Sequence, residues 1–288
     1  MSLPSQPADL DAVCKQVVAA ASARHSVKLE DLAVSVARLD GTPRSGGYRQ
    51  DVLFYPASVV KAFYLVYAGV RIAENKLKET PELRRGLTDM IVESSNDATN
   101  WVLEVLTGAS GGAELSPSEL RKWQGKRQVV NRYFQAKGYD GLNASQKTWD
   151  WGPYGRERQG YGPNLELRNM MSPAHAVRLL TQLSKGELPR SEWSLAFLSR
   201  TIPADDPKAT AQARNYVGAV LPSGSKLWSK AGWTSTVRHD AALVELPNGH
   251  LYAIALFSQN SSTVEGLIPG MARDLLEALG EPVRKEQE

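Results

Sequence analysis

Ser58 and Lys61 stand three residues apart, where the extended run Asp51 to Tyr55 passes into the apolar stretch Ala62 to Ala68. On a helix this spacing puts a hydroxyl and an amine one turn apart on the same face. A serine hydroxyl is a weak nucleophile near neutral pH and attacks only when a neighbour takes its proton. Lysine can serve if burial or nearby cations lower its pKa far enough to leave it partly neutral. The same four residues also read as a helix cap followed by a surface lysine, so the pair gains meaning only from partners elsewhere. Two stretches offer them: Ser94-Ser95-Asn96, which begins 36 positions after Ser58 (94 minus 58), and Lys230-Ala231-Gly232. Alone, the first is an ordinary capping loop and the second a strand end.

The elements that must position these groups follow from periodicity. Residues 9–24 carry Ala and Val at helical spacing. Leu32 to Gly41 and Asp51 to Tyr55 read as a β-hairpin. The helix with Ser58 and Lys61 runs to about Lys76 and is apolar nearly all round in its first turns, as expected of a buried central helix. Leu83, Leu87, Met90 and Ile91 mark the next helix, and Asn96 or Asp97 is placed to cap another over Ala98 to Leu106. Ser116-Pro117-Ser118-Glu119 opens a helix running with interruptions toward Lys137. Residues 138–162 hold Trp149, Trp151, Tyr154 and Tyr161 without periodicity, as an ordered loop lining a site does. Ser172-Pro173 starts a helix to about Lys185, Ser191 to Arg200 forms a further one, and residues 205–214 begin another. Lys226 to Lys230 is extended, Asp240 to Leu246 and His250 to Phe257 form a hairpin about Asn248-Gly249, and Glu265 to Leu279 is an amphipathic helix.

Strands therefore come first and last, with helices between. The predicted fold class is α/β of the α+β type: an antiparallel sheet built from N- and C-terminal strands, flanked by helices, with an inserted all-helical lobe. The sheet lobe is expected over about 9–57 and 215–282 and the helical lobe over about 58–214, within one unit spanning 1–288.

Composition narrows the function classes. With 42% hydrophobic and 23% charged residues the 288-residue chain is of ordinary globular character. A net charge of only +3 gives no electrostatic reason to expect nucleic acid or an anionic membrane. Cys14, the single cysteine, excludes an intramolecular disulfide and a cysteine-based metal cluster, and sits at a helical position suited to a small buried hydrophobe. His25, His175, His239 and His250 lack ligand spacing, so neither metal nor cofactor is expected. There is no apolar run long enough for a membrane span, and Met1 to Pro7 show no signal peptide. A small-molecule or peptide substrate and a monomer are the expectation.

Ser58-Val59-Val60-Lys61, Ser94-Ser95-Asn96 and Lys230-Ala231-Gly232, in this order, resemble the three-part signature of the penicillin-recognising serine enzymes, the class A β-lactamases and penicillin-binding proteins. The run Met90 to Asn100 and the helix start Met171-Ser172-Pro173 resemble that family too, so the likeness covers roughly residues 10 to 280. It implies that Ser58 is acylated, that Lys61 is its base or proton relay, and that Ser94 passes a proton to the leaving nitrogen. Asn96 is implied to bind the acylamide side chain. Lys230 is implied to attract a substrate carboxylate and help keep Lys61 deprotonated, and Ser58 and Trp233 to supply oxyanion-hole N–H groups, Gly232 letting substrate approach. It also implies action outside the cytoplasm, periplasmic or secreted, and a part in antibiotic resistance.

Two departures qualify the likeness. The family's deacylating glutamate, in a Glu-x-x-x-Asn arrangement, has no clear counterpart. Glu166 is the nearest acid, with its asparagine, Asn169, three residues on instead of four, and Glu157 and Asp150 lie in the aromatic loop. Without a positioned base an acyl-enzyme persists. Ala231 also lacks the hydroxyl that usually bonds the substrate carboxylate, leaving Thr234, Ser235 or Arg238 as substitutes. The expectation is a serine hydrolase acylated by a β-lactam or related amide, with slow deacylation. A D-Ala-D-Ala peptidase or esterase, and a non-hydrolytic domain sensing β-lactams or peptidoglycan fragments, are the alternatives.

Overall fold

The computed structural model describes residues 9–285, so the leader reading made on Met1 to Pro7 lies outside the described residues. The chain divides into two compact units, one formed by residues up to Val52 together with those from Arg200 on, the other by Leu53–Ser199.

Helix α1 (Leu10–His25) opens the first unit, capped by Asp9, whose carboxylate accepts from the N–H groups of Asp11 and Ala12. Strands β1 (Leu32–Arg38) and β2 (Arg44–Tyr48) follow and pair antiparallel, Val34 opposite Tyr48 and Arg38 opposite Arg44. The second hairpin strand is thus Arg44–Tyr48, where Asp51 to Tyr55 was expected; of the latter, Phe54 makes an isolated bridge to Met171. The Ser-Gly-Gly centre of β2 hides it from a propensity reading, because glycine weakens a strand. Space demands it: a Cβ at Gly46 falls 2.6 Å from Leu10 Cβ, and one at Gly47 falls 2.6 Å from the Val34 carbonyl oxygen.

The second unit is helical: α2 (Lys61–Ala73), α3 (Pro81–Ile91), α4 (Asn96–Thr107), α5 (Pro117–Arg127), α6 (Val129–Gln135), α7 (Gly155–Gly160), α8 (Pro173–Ser184) and α9 (Ser191–Leu198). Every residue of α2 from Lys61 to Val70 is buried. Phe63 meets Phe134 edge-on at 4.8 Å between ring centroids, and Phe134 meets Tyr139 at 5.3 Å, a geometry that adds to simple area burial. The cap of α4 is Ser95, whose hydroxyl accepts from Ala98 N–H, so Asn96 and Asp97 are released from capping.

The chain returns through β3 (Ser199–Arg200), α10 (Ala211–Arg214), a 3-10 turn over Val217–Val220, β4 (Lys226–Trp233), β5 (Val237–Glu245), β6 (Leu251–Gln259) and α11 (Leu267–Ala278). The antiparallel sheet runs in the order β2, β1, β6, β5, β4, β3. α1 and α11 supply Val17, Val18, Met271 and Leu275 to a core with Leu32, Val34, Ile254 and Leu256. Residues 200–214, read from sequence as part of the helical lobe, belong with the sheet: the Arg200 guanidinium donates to the Ser229 carbonyl at 3.2 Å and Gln212 Oε1 accepts from Lys230 Nζ at 2.5 Å. Only Ala211–Arg214 of the helix expected from 205 is helical.

Candidate active site

In the helical unit the chain enters α2 through a 3-10 turn, Ala57–Val60, in which residues three apart eclipse one another. Half-buried Ser58 and buried Lys61 therefore face the same way. Ala57, immediately before the serine, has φ +46°, a left-handed conformation that a residue with a Cβ adopts only when its surroundings hold it there.

Lys61 is fully buried. Its Nζ donates to the Ser94 carbonyl at 2.6 Å and to Asn96 Oδ1 at 2.9 Å, with Ser94 Oγ and the Ser95 carbonyl each at 3.4 Å. Ser94 takes φ +58°. These acceptors are all neutral, so the ammonium gains little to offset its lost hydration. Burial pushes its pKa from 10.5 down to about 7, and the Asp150 carboxylate acts in the opposite direction. Two short bonds satisfy the two N–H groups of a neutral amine and leave its lone pair for a third partner. Lys61 is thus built to take a proton near neutral pH.

Asn96 bridges to an acid. Its Oδ1 accepts from Lys61 while its Nδ2 donates to Asp150 Oδ1 at 2.6 Å. Asp150 lies on the aromatic loop, which a buried ionic cluster holds in place. Arg127 pairs with Glu157 at 2.5 Å, Lys147 pairs with Glu157 at 2.9 Å and with Glu104, and Tyr161 Oη donates to the Lys147 carbonyl at 2.8 Å. Glu166, the acid nearest the family pattern in sequence, is exposed and accepts from the Asn164 N–H at 2.9 Å. The acid joined to Lys61 through Asn96 is Asp150.

The sheet unit carries the third signature on β4. Lys230 is 1% exposed, and its Nζ donates to Gln212 Oε1 at 2.5 Å and the Ala231 carbonyl at 2.8 Å. Ala231 belongs to the apolar core of this unit, Gly232 pairs with His239, and Trp233 is 49% exposed. Thr234 Oγ1 is committed to its own turn, accepting from Thr236 and Val237 N–H. Ser235 is exposed and its carbonyl accepts from Ser262 Oγ. Arg238 lies over the Tyr216 ring at 5.2 Å and donates to the Ser262 carbonyl at 3.2 Å.

Within the helical unit Lys61, Ser94 and Asn96 thus form one cluster, and within the sheet unit Lys230 to Ser235 form one strand end and turn. Sequence reading undervalued Asp150 and missed Gln212 and Asp240. Asp150 offered only its place in a non-periodic aromatic loop; Gln212 and Asp240 offered nothing. Among the described residues there is no group of three or more His, Cys, Asp or Glu able to hold a metal, and no helix long and apolar enough to cross a membrane.

The profile of the beta-lactamase enzyme family matches residues 71–280, which is 210 of 288 positions. None of the curated proteins compared with the sequence matches it. Solved structures do. A beta-lactamase from Sphaerobacter thermophilus is 19% identical with a TM-score of 0.68, over 95% of this chain and 98% of that one. One from Chitinophaga pinensis is 17% identical with a TM-score of 0.67, over 92% and 98%. A point variant of PBP-A, solved as an acyl-enzyme complex with penicillin G, is 22% identical with a TM-score of 0.66, over 96% and 99%.

Proposed function

The chain belongs to the beta-lactamase enzyme family, and from that premise we propose that it is a serine hydrolase acylated at Ser58 by β-lactams. The observation that carries this reading is the Lys61 amine, buried on two neutral acceptors and drawn down to about 7. As base it takes the Ser58 proton during attack, and Ser94 Oγ, 3.4 Å from the same nitrogen, is placed to relay it to the departing nitrogen. Lys230, the buried cation of β4, is the group we assign to a substrate carboxylate.

Asp150 is the acid we assign to the second half-reaction. Its carboxylate is exposed to solvent and oriented by Asn96 Nδ2, which suits it to hold and deprotonate a water. The second reading keeps the same acylation centre and makes a D-Ala-D-Ala peptide or an ester the favoured substrate, with β-lactams released slowly.

A time course of intact mass with a penicillin tests the proposal. A penicillin-sized adduct forms on the wild type and not on Ser58→Ala, and Asp150→Asn lengthens its lifetime about a hundredfold. No adduct on the wild type contradicts the reading. An adduct equally long-lived in both proteins removes Asp150 from it, and faster turnover of a D-Ala-D-Ala peptide selects the second reading.

A further inference from the structure

Asp240, on β5, is fully buried and stands in register with Ala231 of β4 and Leu256 of β6, two apolar neighbours that give the sheet no packing reason for an acid there. Its Oδ2 accepts from the Val217 N–H at 3.0 Å, and among the described residues its buried Oδ1 has no hydrogen-bond partner. Leaving a buried polar atom unmatched costs stability. The charged and titratable groups that feel this carboxyl are Lys230 of β4, Arg200 of β3 and the Tyr216 hydroxyl ahead of the 3-10 turn, with Arg238 stacked on Tyr216. Arg200 is held in place by two bonds from its guanidinium to the Ser229 carbonyl, the residue before Lys230.

We propose that Asp240 is a positioning residue whose ionisation sets the charge presented by the Lys230 end of β4, so that an anionic substrate binds more weakly when Asp240 is ionised than when it is protonated. The proposal rests on the reading that Lys230 attracts a substrate carboxylate. With Asp240 neutral, Lys230 and Arg200 leave a net positive strand end; with Asp240 ionised, one of these charges is cancelled within the protein. Burial lifts the Asp240 carboxyl from 3.8 to about 7, against the pull of the Val217 N–H, Lys230 and Arg200, so the change falls near neutrality.

Two measurements test this. The first is the half-saturating penicillin concentration for acylation between pH 5.5 and 8.5. In the wild type it rises about tenfold with pH, the size expected when one charge is cancelled in a partly shielded site. Asp240→Asn loses this part of the rise, so that it binds about tenfold more tightly than the wild type at pH 8.5 and equally at pH 5.5; Asp240→Glu restores the wild-type slope, and at each pH the limiting acylation rate is nearly the same in the three proteins, because Lys61 titrates alike in all of them. The second needs no reaction: NMR titration of the aspartate carboxyl carbons of the substrate-free protein shows a midpoint near neutrality that is missing in Asp240→Asn and moves upward in Lys230→Met. A flat half-saturation curve in the wild type, or the same slope in Asp240→Asn, overturns the proposal. If penicillin does not acylate the protein, the function proposed above fails and the titration alone decides: no aspartate titrating between pH 5 and 9 overturns the Asp240 inference.

Discussion

Lys61 in the helical unit and Lys230 in the sheet unit are equally hidden from water, at 0% and 1% exposure, yet their surroundings answer burial differently. Around Lys61 the direct partners are neutral oxygens and the acid is one residue removed, behind Asn96, so desolvation falls on the lysine and draws it toward its neutral form. Around Lys230 a second cation and a carboxyl share the interior, and the displaced group is Asp240, raised to about 7. A buried charge is resolved at whichever group is least compensated. This difference underlies the roles proposed for them, a base in one unit and a source of positive charge in the other.

Exchanging each lysine for methionine separates the two roles. Lys61→Met lowers the limiting acylation rate about a thousandfold, the range of a general base. Lys230→Met leaves that rate within a few-fold and raises half-saturation about tenfold, as loss of a hydrogen-bonding charge does. Equal effects on both parameters in both variants would remove the distinction.

A purely structural ion cluster provides the contrast. Glu157→Gln leaves Arg127 and Lys147 buried without their shared carboxylate and lowers stability by about 3–5 kcal/mol in denaturant unfolding. Because that cluster holds the loop bearing Asp150, the acyl-enzyme of the variant also outlives that of the wild type. A loss below 1 kcal/mol would show that the cluster does not anchor the loop.

The same lysine governs the pH dependence of stability. The native Lys61 pKa lies below its unfolded value, so the unfolded chain binds the extra proton between about 7 and 10.5 and native stability rises with pH across that window. The penalty is full below about 7. Lys61→Met, freed of it, gains most on the wild type in thermal unfolding at pH 6 and least near pH 10; a gap that does not change with pH would place the native pKa at its ordinary value.

These contrasts show which features were legible in the chain. The order of strands and helices followed from hydrophobic period, and α3, α8 and β6 stand where the pattern put them, because α3 and α8 each bury one face and β6 buries one run. Strand β2 did not, since close approach of α1 forces Gly46 into it and removes the β-forming side chains on which a pattern depends. Ser58, Lys61, Ser94, Asn96 and Lys230, whose roles stand as proposals, could be singled out because they lie in short motifs, Ser94 in the loop ahead of α4 and the others in a 3-10 turn, on helices or on a strand. Asp150 reaches Asn96 across 54 positions, and Asp240 reaches the Val217 N–H across 23, from places where local sequence shows only an acid in a loop and an acid at a strand start. Glu166 attracted attention by spacing alone, and its carboxylate folds back on its own loop.

The central claim, that Lys61 is a neutral base at working pH, is open to direct titration. In the substrate-free protein labelled at its lysine side chains, the Lys61 amine, assigned by its loss in Lys61→Met, should titrate by NMR with a midpoint near 7. A midpoint near the ordinary lysine value of 10.5 would contradict the account.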